Sequence, residues 1–283
     1  MPELPEVESV RRLLTEGRPS LIGTTVDRVE VLRDNVIGGH LLAEQFCQDV
    51  QDSVFYEIIR HGKYLFFRLQ AARDTSKRWM VVHLRMTGRL YLVPDPAMRT
   101  PHTRLVVHLQ NGSVLRFDDP RAFGRVRLVA DPLEVTSGLG PDALTVDESV
   151  FMQRLDRHCR QLKPLLLDQS FVAGLGNIYV DESLFRAGIH PLQTSAGLTA
   201  PQRKRLYQAI HNVMHEAVVC KGANIDGVFE AGCFPVAVYG RAGLPCMQCG
   251  TSIVKLRVGQ RGTHLCPQCQ PLSNVKPLAG GRE

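Results

Sequence analysis

The spacing of apolar residues divides the chain into two parts with different periodicity. Apolar residues recur every three or four positions between Pro5 and Gly17, which predicts a helix close to the start of the chain. The stretch that follows alternates short β-like runs with turn signals such as Asn111-Gly112. The predicted strands are Thr25–Leu32, Ser53–Arg60, Tyr64–Leu69, Met80–Leu84, Arg104–Leu109, Ser113–Phe117 and Val126–Val129. Many short strands with close turns are typical of an antiparallel β-sandwich or barrel.

The period changes to that of helices after Gly140-Pro141. The predicted helices are Asp147–Cys159, Gly176–Ala187 and Thr199–Val219. A glycine-rich stretch without periodicity, Gly222–Pro235, is a predicted loop of 14 residues, and loops of that length are often functional. The expected fold class is therefore α+β, with an N-terminal β-sandwich domain that carries one helix and a helical C-terminal half.

The composition disfavours a membrane protein and a secreted one. No run of about 18 apolar residues occurs. The opening residues Met1–Glu6 lack the basic and apolar regions of a signal peptide. We therefore expect a cytoplasmic protein.

The net charge of +6 is unevenly distributed along the chain. Residues 1–150 carry 19 Lys and Arg against 20 Asp and Glu, whereas residues 151–283 carry 15 against 8. A basic half joined to a neutral half indicates that the second half binds a polyanion. A solvated basic surface without a partner fits the same charges, so charge alone does not show whether a polyanion is bound.

Four of the eight cysteines form two close pairs near the C-terminus, Cys246-x2-Cys249 and Cys266-x2-Cys269, separated by 16 residues. Each CxxC turn places two sulfurs on one side, so two such turns can complete a tetrahedral four-thiolate site. Four protein ligands leave no position for a catalytic water, and the spacing therefore predicts one structural zinc ion. The other four cysteines are expected to be reduced, packed thiols in a cytosolic protein.

Basic and apolar residues alternate between the two cysteine pairs, from Lys255 to Thr263. Such alternation predicts a β-ribbon with one cationic face, which suits contacts with phosphates. A zinc ribbon of this kind is a nucleic-acid-binding module, and a binding protein without catalysis is one hypothesis that the sequence leaves open.

Pro2 and Glu3 form a second chemical motif at the start of the chain. Removal of Met1 would leave Pro2 as a free secondary amine, and an α-amino group has a pKa of about 7.7–8.0, well below that of lysine. An unprotonated amine can attack a sugar C1′, and a carboxylate beside it can move protons. The motif is short enough to occur by chance, so it needs support from the rest of the chain.

Three short motifs precede the four cysteines: Pro2-Glu3-Leu4-Pro5-Glu6, Asn177-Ile178-Tyr179 and Val238-Tyr239-Gly240-Arg241. Together with the cysteines they resemble the formamidopyrimidine-DNA glycosylase family over nearly the full chain. The resemblance implies a bifunctional DNA glycosylase and lyase of base excision repair. Such an enzyme removes oxidised purines through a Schiff base at Pro2 and then cleaves the strand by β,δ-elimination.

The resemblance also implies a division into regions and roles for individual residues. The regions are a catalytic β-sandwich domain (1–143), a helix–two-turn–helix DNA-binding domain (144–235), a zinc finger (236–271) and a flexible tail (272–283). The implied catalytic residues are Pro2, Glu3, Lys63 and Arg261, with Glu6 lining the lesion pocket. The implied DNA-binding residues are His102, Arg121, Lys163 and Asn177. The residues implied to fill the gap left by a flipped nucleotide are Met86, Arg121 and Phe123.

Two departures from the family pattern stand out, and the first bears on the expected substrate. Gly222–Phe229 lacks the Ser/Thr-rich pattern of the loop that covers an extruded oxidised guanine, which leaves the choice between 8-oxoguanine and formamidopyrimidines open. Arg85 stands beside Met86 where glycine is common. An enzyme for oxidised pyrimidines, as in the endonuclease VIII branch, is a further alternative, although Leu4 disfavours it because that branch usually has glycine there.

The resemblance finally implies the partner and the setting. The expected partner is double-stranded DNA that contains oxidised bases or abasic sites, bound by a monomer without membrane contact. The expected location is the cytoplasm of a bacterium, in association with the nucleoid.

Overall fold

The computed structural model describes residues 2–71, 77–96, 98–225, 227 and 231–272. Met1 and residues 273–283, most of the expected flexible tail, lie outside the described residues. The chain forms two compact units, one of residues 1–138 and 224–232, the other of residues 139–223 and 233–283. Within the described residues, no helix is both long enough and apolar enough to cross a membrane.

The first unit contains two four-stranded antiparallel sheets. Its strands are β1 (Val26–Val31), β2 (Ser53–His61), β3 (Tyr64–Ala71), β4 (Lys77–His83), β5 (Arg89–Pro94), β6 (Thr103–Leu109), β7 (Ser113–Asp118) and β8 (Arg125–Val129). The strand orders are β1-β6-β7-β5 and β2-β3-β4-β8. Its helices are α1 (Leu4–Glu16), α2 (Ala43–Val50) and α3 (Leu133–Thr136), with a short 3-10 turn at Asp34–Val36. The predicted β-sandwich with an N-terminal helix is confirmed.

Side chains from both sheets share one apolar core. Phe55 and Phe67 from one sheet and Phe117 from the other are fully buried. The rings of Phe55 and Phe67 meet edge to face, with centroids 6.0 Å apart, a favourable aromatic geometry. Val7 and Leu14 of α1 are buried in the same core. The core therefore holds the helix that carries the N-terminal residues.

Among the described residues of the second unit, all secondary-structure elements are helical apart from one hairpin. Its helices are α4 (Glu148–Asp156), α5 (Leu162–Leu167), α6 (Asn177–Ala187) and α7 (Ala200–Val219), with a 3-10 turn at Ser195–Gly197. Strands β9 (Val254–Val258) and β10 (Arg261–Leu265) form the antiparallel hairpin. A capping box between Thr199 and Gln202 starts α7, and Gly188 ends α6 at φ +67°, where glycine carries no steric penalty. The predicted helical half with a zinc-ribbon hairpin is confirmed.

Four elements were not predicted from the sequence. Helices α2, α3 and α5 are at most eight residues long, too short for a helical period to repeat clearly. Strand β5 is placed by pairing with β7, where Leu90 lies opposite Phe117, and this partner is not visible from local pattern. Helix α4 ends at Asp156 and not at Cys159. In the described part of Gly222–Pro235 no helix or strand forms, as expected for a loop.

Candidate active site and zinc module

The N-terminal residues lie at the first turn of α1. Pro2 and Glu3 are both buried, and Glu3 occupies the N-cap position. Glu3 and Glu6 form a capping box, in which the Glu6 carboxylate accepts a hydrogen bond from the Glu3 N–H at 2.9 Å. Carboxylates at this end of a helix also interact favourably with the helix dipole. Local sequence thus keeps the Pro2 nitrogen and two carboxylates within one helical turn.

A buried ion pair connects α1 to the turn that carries Lys63. Arg60 of β2 is 5% exposed, and its Nε donates to Oε2 of Glu8 at 3.0 Å. The Nη1 of Arg60 donates to the Gly62 carbonyl, also at 3.0 Å. Because Gly62 directly precedes Lys63 in the β2–β3 turn, Glu8 of α1 positions the lysine turn through Arg60.

His83, at the end of β4, lies beside Lys63 and Arg85. Burial lowers the pKa of His83 to about 3, with further lowering by the charges of Arg85 and Lys63. The imidazole is therefore neutral at physiological pH. Its Nδ1 accepts the Arg85 N–H at 3.0 Å, and its ring meets the Tyr64 ring edge to face at 4.5 Å. His83 thus shapes the turn that continues into Met86.

Met86, Arg121 and Phe123 lie on two exposed turns. Met86 is 37% exposed and Phe123 is 47% exposed. The Cζ of Arg121 lies 4.9 Å from the centroid of the Phe123 ring, which is a cation–π contact. Two apolar side chains and one guanidinium are therefore available to a partner at these turns.

The side chain of Asp119 connects the turn that contains Met86 to the turn that contains Arg121 and Phe123. It is fully buried, and its Oδ1 accepts hydrogen bonds from the Thr87 hydroxyl at 2.5 Å and from the Arg121 N–H at 3.2 Å. Its Oδ2 accepts the Gly124 N–H at 2.7 Å. The N–H of Asp119 donates to the carbonyl of the exposed His102 at 2.8 Å. One buried carboxylate therefore organises both turns and the backbone of His102.

Each of the two turns contains a residue in the left-handed backbone region. Arg85 has φ +58° and Ala122 has φ +54°, and this conformation costs a non-glycine residue about 1–2 kcal/mol. The strain at Arg85 explains why glycine suits this position. Gly124 is required for another reason, since a Cβ there would lie 2.4 Å from Cζ of Phe117.

The cysteines of the two C-terminal pairs converge on one point. The Sγ atoms of Cys246, Cys249, Cys266 and Cys269 all lie within 4.8 Å of one another. Cys249 is 3.5 Å from both Cys266 and Cys269, and Cys246 is 3.9 Å from Cys269. Tetrahedral zinc with Zn–S bonds of about 2.3 Å requires sulfur separations of about 3.8 Å. The four thiols fit one structural zinc ion.

The β9–β10 hairpin presents its cations to solvent. The exposed cationic residues are Lys255, Arg257 and Arg261. Gly259 and Gln260 form the two-residue turn with φ of +53° and +62°, which matches the turn type that two-residue hairpins favour. A Cβ on Gly259 would lie 2.8 Å from Cγ of Pro164. Glycine therefore lets the turn pack closely on α5.

Two helices hold the hairpin through the Gly262 carbonyl. Lys163 of α5 and Asn177 of α6 donate to this oxygen at 2.9 and 3.0 Å. Lys163 is fully buried and also forms an ion pair with Asp181 of α6 at 2.6 Å. These hydrogen bonds place Lys163 and Asn177 beside Gly262, the residue that follows Arg261. Contact of Asn177 with DNA stays a prediction, whereas the fully buried Lys163 side chain has no exposed surface to offer a phosphate.

Further buried polar groups connect the zinc module, the segment 237–270 that contains the four cysteines, to α6 and to the residues just after it. The Glu182 carboxylate accepts the backbone N–H groups of residues 237–239 at 2.8 to 3.0 Å. Burial raises the pKa of Glu182, although these hydrogen bonds favour the ionised form. Asp181 accepts the His264 N–H at 2.9 Å. Gln270 is fully buried and donates to the Ile189 carbonyl at 2.9 Å. The hairpin is therefore anchored at several points.

Comparison with known proteins accounts for the whole chain. The formamidopyrimidine-DNA glycosylase N-terminal domain matches residues 1–126, its H2TH domain matches residues 138–227, and the zinc finger found in FPG and IleRS matches residues 243–272. The formamidopyrimidine-DNA glycosylase of Symbiobacterium thermophilum is 42% identical over 100% of this chain and 93% of its own length. That of Enterococcus faecalis is 40% identical over 96% of this chain and 98% of its own length.

The chain belongs to the formamidopyrimidine-DNA glycosylase family. It is a base excision repair glycosylase with one structural zinc site, and cleavage of the strand at abasic sites is a standard property of the family.

Two solved structures of family members have the same fold. A complex of MutM with DNA containing carbocyclic 8-oxo-G gives a TM-score of 0.86 at 33% identity, over 95% of this chain and 100% of that chain. A complex of Lactococcus lactis Fpg with DNA containing an abasic site gives a TM-score of 0.85 at 33% identity, over 95% of this chain and 99% of that chain. These similarities agree with the α+β architecture described above.

Three buried acids that were not predicted from the sequence hold the Lys63 turn, the turns of Met86 and Arg121, and the β9–β10 hairpin in place. They are Glu8, Asp119 and Asp181. A sequence signal exists for Asp181, because it and Glu182 are adjacent acids in the otherwise largely apolar helix α6, and acids are rarely buried unless they are paired. Their partners, however, come from distant parts of the chain.

Proposed function

We propose that this chain excises oxidised purines from double-stranded DNA with the Pro2 amine as nucleophile and then cleaves the abasic strand. The buried N-terminal turn carries the proposal, because Pro2 and Glu3 precede a capped helix in a chain of the glycosylase family. The relatives solved with DNA containing carbocyclic 8-oxo-G or an abasic site support the same class of substrate here.

Excision begins when the Pro2 nitrogen attacks C1′ of a flipped nucleotide. The bond from C1′ to the base breaks, the sugar ring opens, and Glu3 moves the protons that these steps require. The product is an iminium ion whose positive charge acidifies the 2′ hydrogens. The chemistry requires removal of Met1, because the nitrogen of an internal proline is an amide and is not nucleophilic.

Two eliminations then cut the strand on both sides of the sugar. Loss of a 2′ proton expels the 3′ phosphate, and a second elimination expels the 5′ phosphate. Lys63 and Arg261 assist these steps as cations beside the phosphates. The turn of Lys63 is positioned by Glu8 and Arg60, and the hairpin tip of Arg261 by its packing on α5.

DNA binding divides between gap filling and phosphate contacts. Met86, Arg121 and Phe123 fill the space left by the flipped nucleotide, because an apolar wedge and a guanidinium replace the lost stacking and pairing. Glu6 lines the lesion pocket. The proposed DNA contacts are His102, Arg121 and Asn177, while the buried Lys163 supports the neighbouring hairpin through the Gly262 carbonyl. Asn177 stands at the start of α6, and a helix N-terminus favours phosphate binding.

We assign each region of the chain to one task. Residues 1–143 carry the catalytic β-sandwich, residues 144–235 the helix–two-turn–helix domain and residues 236–271 the zinc finger. Bound zinc supports the hairpin through Cys246, Cys249, Cys266 and Cys269. The protein acts as a monomer in the cytoplasm, in association with the nucleoid.

Borohydride trapping tests the nucleophile directly. Duplexes that carry 8-oxoguanine opposite cytosine, or an abasic site, are incubated with zinc-loaded protein that starts at Pro2, and the adduct is mapped by mass spectrometry. We expect a covalent link at the N-terminal peptide, because borohydride reduces the iminium. Protein with an N-terminal extension that blocks Pro2 is the matched control and should give no adduct.

The same substrates separate the proposal from its alternatives. An adduct with an abasic site or an oxidised pyrimidine, but none with 8-oxoguanine or a formamidopyrimidine, would keep the Pro2 chemistry and overturn the purine assignment. No adduct on any of these duplexes, from protein with a free Pro2 and bound zinc, would overturn the catalytic proposal and favour a DNA-binding relative.

A further inference from the structure

Cys220 and Cys233 lie side by side at the two ends of the segment 221–232. Cys220 follows α7 directly, and its carbonyl accepts the Cys233 N–H at 2.9 Å. A second backbone hydrogen bond joins the Phe234 N–H to the Gly222 carbonyl at 3.0 Å. Because the N–H of one cysteine bonds directly to the carbonyl of the other, the two backbones lie close enough for a disulfide, which spans Cα separations of about 4.4–6.8 Å.

The buried side chain of Tyr179 holds both ends of the segment. Its hydroxyl accepts the Ala223 N–H at 3.0 Å, and its ring packs edge to face against Phe234 with centroids 5.4 Å apart. Tyr179 is fully buried and Phe234 is 5% exposed. The two cysteines are therefore kept in a fixed register by contacts that do not involve their own side chains.

The two thiols lie close together and differ in exposure. They are near enough for the Cys233 thiol to affect the ionisation of Cys220. Cys233 is exposed, whereas Cys220 is half-buried. Burial raises the pKa of Cys220, and the neighbouring Cys233 thiol raises it further. An oxidant that arrives from solvent therefore meets Cys233 first, with Cys220 placed behind it as the second thiol.

We propose that Cys220 and Cys233 are a modification site at which hydrogen peroxide forms an intramolecular disulfide. The Cys233 thiolate attacks one peroxide oxygen, the O–O bond breaks, and a sulfenic acid forms as water leaves. The Cys220 thiolate then attacks that sulfur, the S–S bond forms, and a second water leaves. Two thiols and one peroxide give one disulfide and two waters, with the sulfurs oxidised and the peroxide oxygens reduced. Cellular thiols reverse the change in a reducing cytosol.

The disulfide constrains the segment between the two cysteines by closing a covalent loop. Gly222–Phe229 corresponds to the family's loop over the extruded base, so this consequence rests on the proposed function. Small displacements around a reacting nucleotide slow its chemistry, and we expect base excision to fall by about threefold or more. Cleavage of a preformed abasic site should change less, because no base has to be held.

Peptide mapping tests the modification without any activity measurement. Trypsin cleaves after Lys221, so peptides 206–221 and 222–241 each carry one of the two cysteines. After mild peroxide treatment of the zinc-bound protein, we expect these peptides to be linked and to separate on reduction. Cys159→Ser, which removes another exposed cysteine, should leave the linked pair, and Cys220→Ser should abolish it. Absence of the linked pair while zinc stays bound would overturn the site.

Rates on two duplexes test the consequence. Oxidised protein, the same protein after reduction, and oxidised Cys220→Ser are compared on a lesion duplex and on an abasic-site duplex. A reversible loss of base excision that Cys220→Ser does not show supports the proposal. A linked pair with unchanged excision would overturn the regulatory part. If reduced wild-type protein neither excises the lesion nor cleaves the abasic-site duplex, the proposed function is overturned. The peptide mapping alone then shows whether the disulfide forms.

Discussion

At the scale of single residues, Glu8 combines local contacts with a distant one. Arg11 and Arg12 follow it by three and four positions on α1, where opposite charges are expected to meet, and they contact its carboxylate at 2.8 and 3.0 Å. Arg60 reaches the same carboxylate from β2. Burial alone would raise the pKa of Glu8, but the hydrogen bonds and charges of these arginines, with Arg11 contributing most, lower it to about 2.

The Glu8 ion pairs should stabilise the fold near neutral pH and lose their effect in acid. The folded-state pKa of about 2 lies below the ordinary value of 4.5, so between these values only the unfolded state takes up a proton and the stabilisation declines. Glu8→Gln should lower the free energy of unfolding by about 1–3 kcal/mol at neutral pH. Urea titrations should show this difference shrinking as the pH falls below 4.5.

Glu16→Gln is the matched control, since Glu16 lies on the same helix but is 69% exposed and 3.9 Å from Arg11. It should change stability by less than about 1 kcal/mol at any pH. A Glu8→Gln difference that stays constant into acid would contradict the assigned pKa shift.

At the scale of elements, α6 supports the zinc hairpin by two adjacent acids that point to different partners. Asp181 pairs with Lys163, which also donates to the Gly262 carbonyl. Glu182 binds the backbone that leads into the zinc module. A buried carboxylate is stable only when it is paired or hydrogen-bonded. Because these two acids find partners in the hairpin and in the segment before it, they favour packing of the hairpin against α6.

Asp181→Asn should loosen the hairpin. It leaves the buried Lys163 ammonium without a counter-charge, and breaking a buried pair costs about 3–5 kcal/mol. Hydrogen exchange measured by mass spectrometry should show faster exchange at residues 259–263. Asp168→Asn, in the partly exposed pair with Arg160, is the control and should leave that exchange unchanged.

A double variant separates the ion pair from the fold of α6. Lys163→Met combined with Asp181→Leu removes both charges, so it should lose less stability than the two single changes predict together. Additive losses would contradict a specific pairing between these residues.

At the scale of the whole molecule, positive charge and the metal site belong to the same part of the sequence. Residues 151–283 hold the excess of cations, and the hairpin between the cysteine pairs presents three of them to solvent. Phosphate binding by cations releases counterions and depends strongly on salt. The zinc ion is therefore expected to affect DNA binding by holding cations in place, without taking part in the reaction.

Removal of zinc should weaken DNA binding while the β-sandwich persists. A short four-thiolate module cannot build its own core and loses its structure without the metal. Fluorescence anisotropy on an abasic-analogue duplex should show lower affinity and a smaller salt dependence after chelation, and added zinc should restore both. Circular dichroism should retain the β-sheet signal.

Cys246→Ser should reproduce the effect of chelation, whereas Cys159→Ser should not. Unchanged affinity and salt dependence in protein with confirmed loss of zinc would contradict a role of the hairpin in binding.

Local patterns predicted the long helices, seven of the eight sandwich strands and the zinc ligands. Short helices escaped because a helical period cannot repeat within eight residues, and β5 escaped because its pairing with β7 defines it. The exposure of Met86 and Phe123 was expected only from the resemblance to the family. Local pattern alone would place both residues in the core, because isolated apolar residues are more often buried. Nothing local indicated that Asp119 joins the turns of these two residues.

Features whose groups are close along the chain follow from local sequence alone: the capped N-terminal turn, the two CxxC pairs and the hairpin turn. These depend on backbone geometry over a few residues. Tertiary structure sets the pairs that join residues far apart in the sequence, such as Glu8 with Arg60 and Lys163 with Asp181. Chain folding must bring such groups together, and burial then makes each partner necessary, because an unpaired charge or polar group inside the protein is costly.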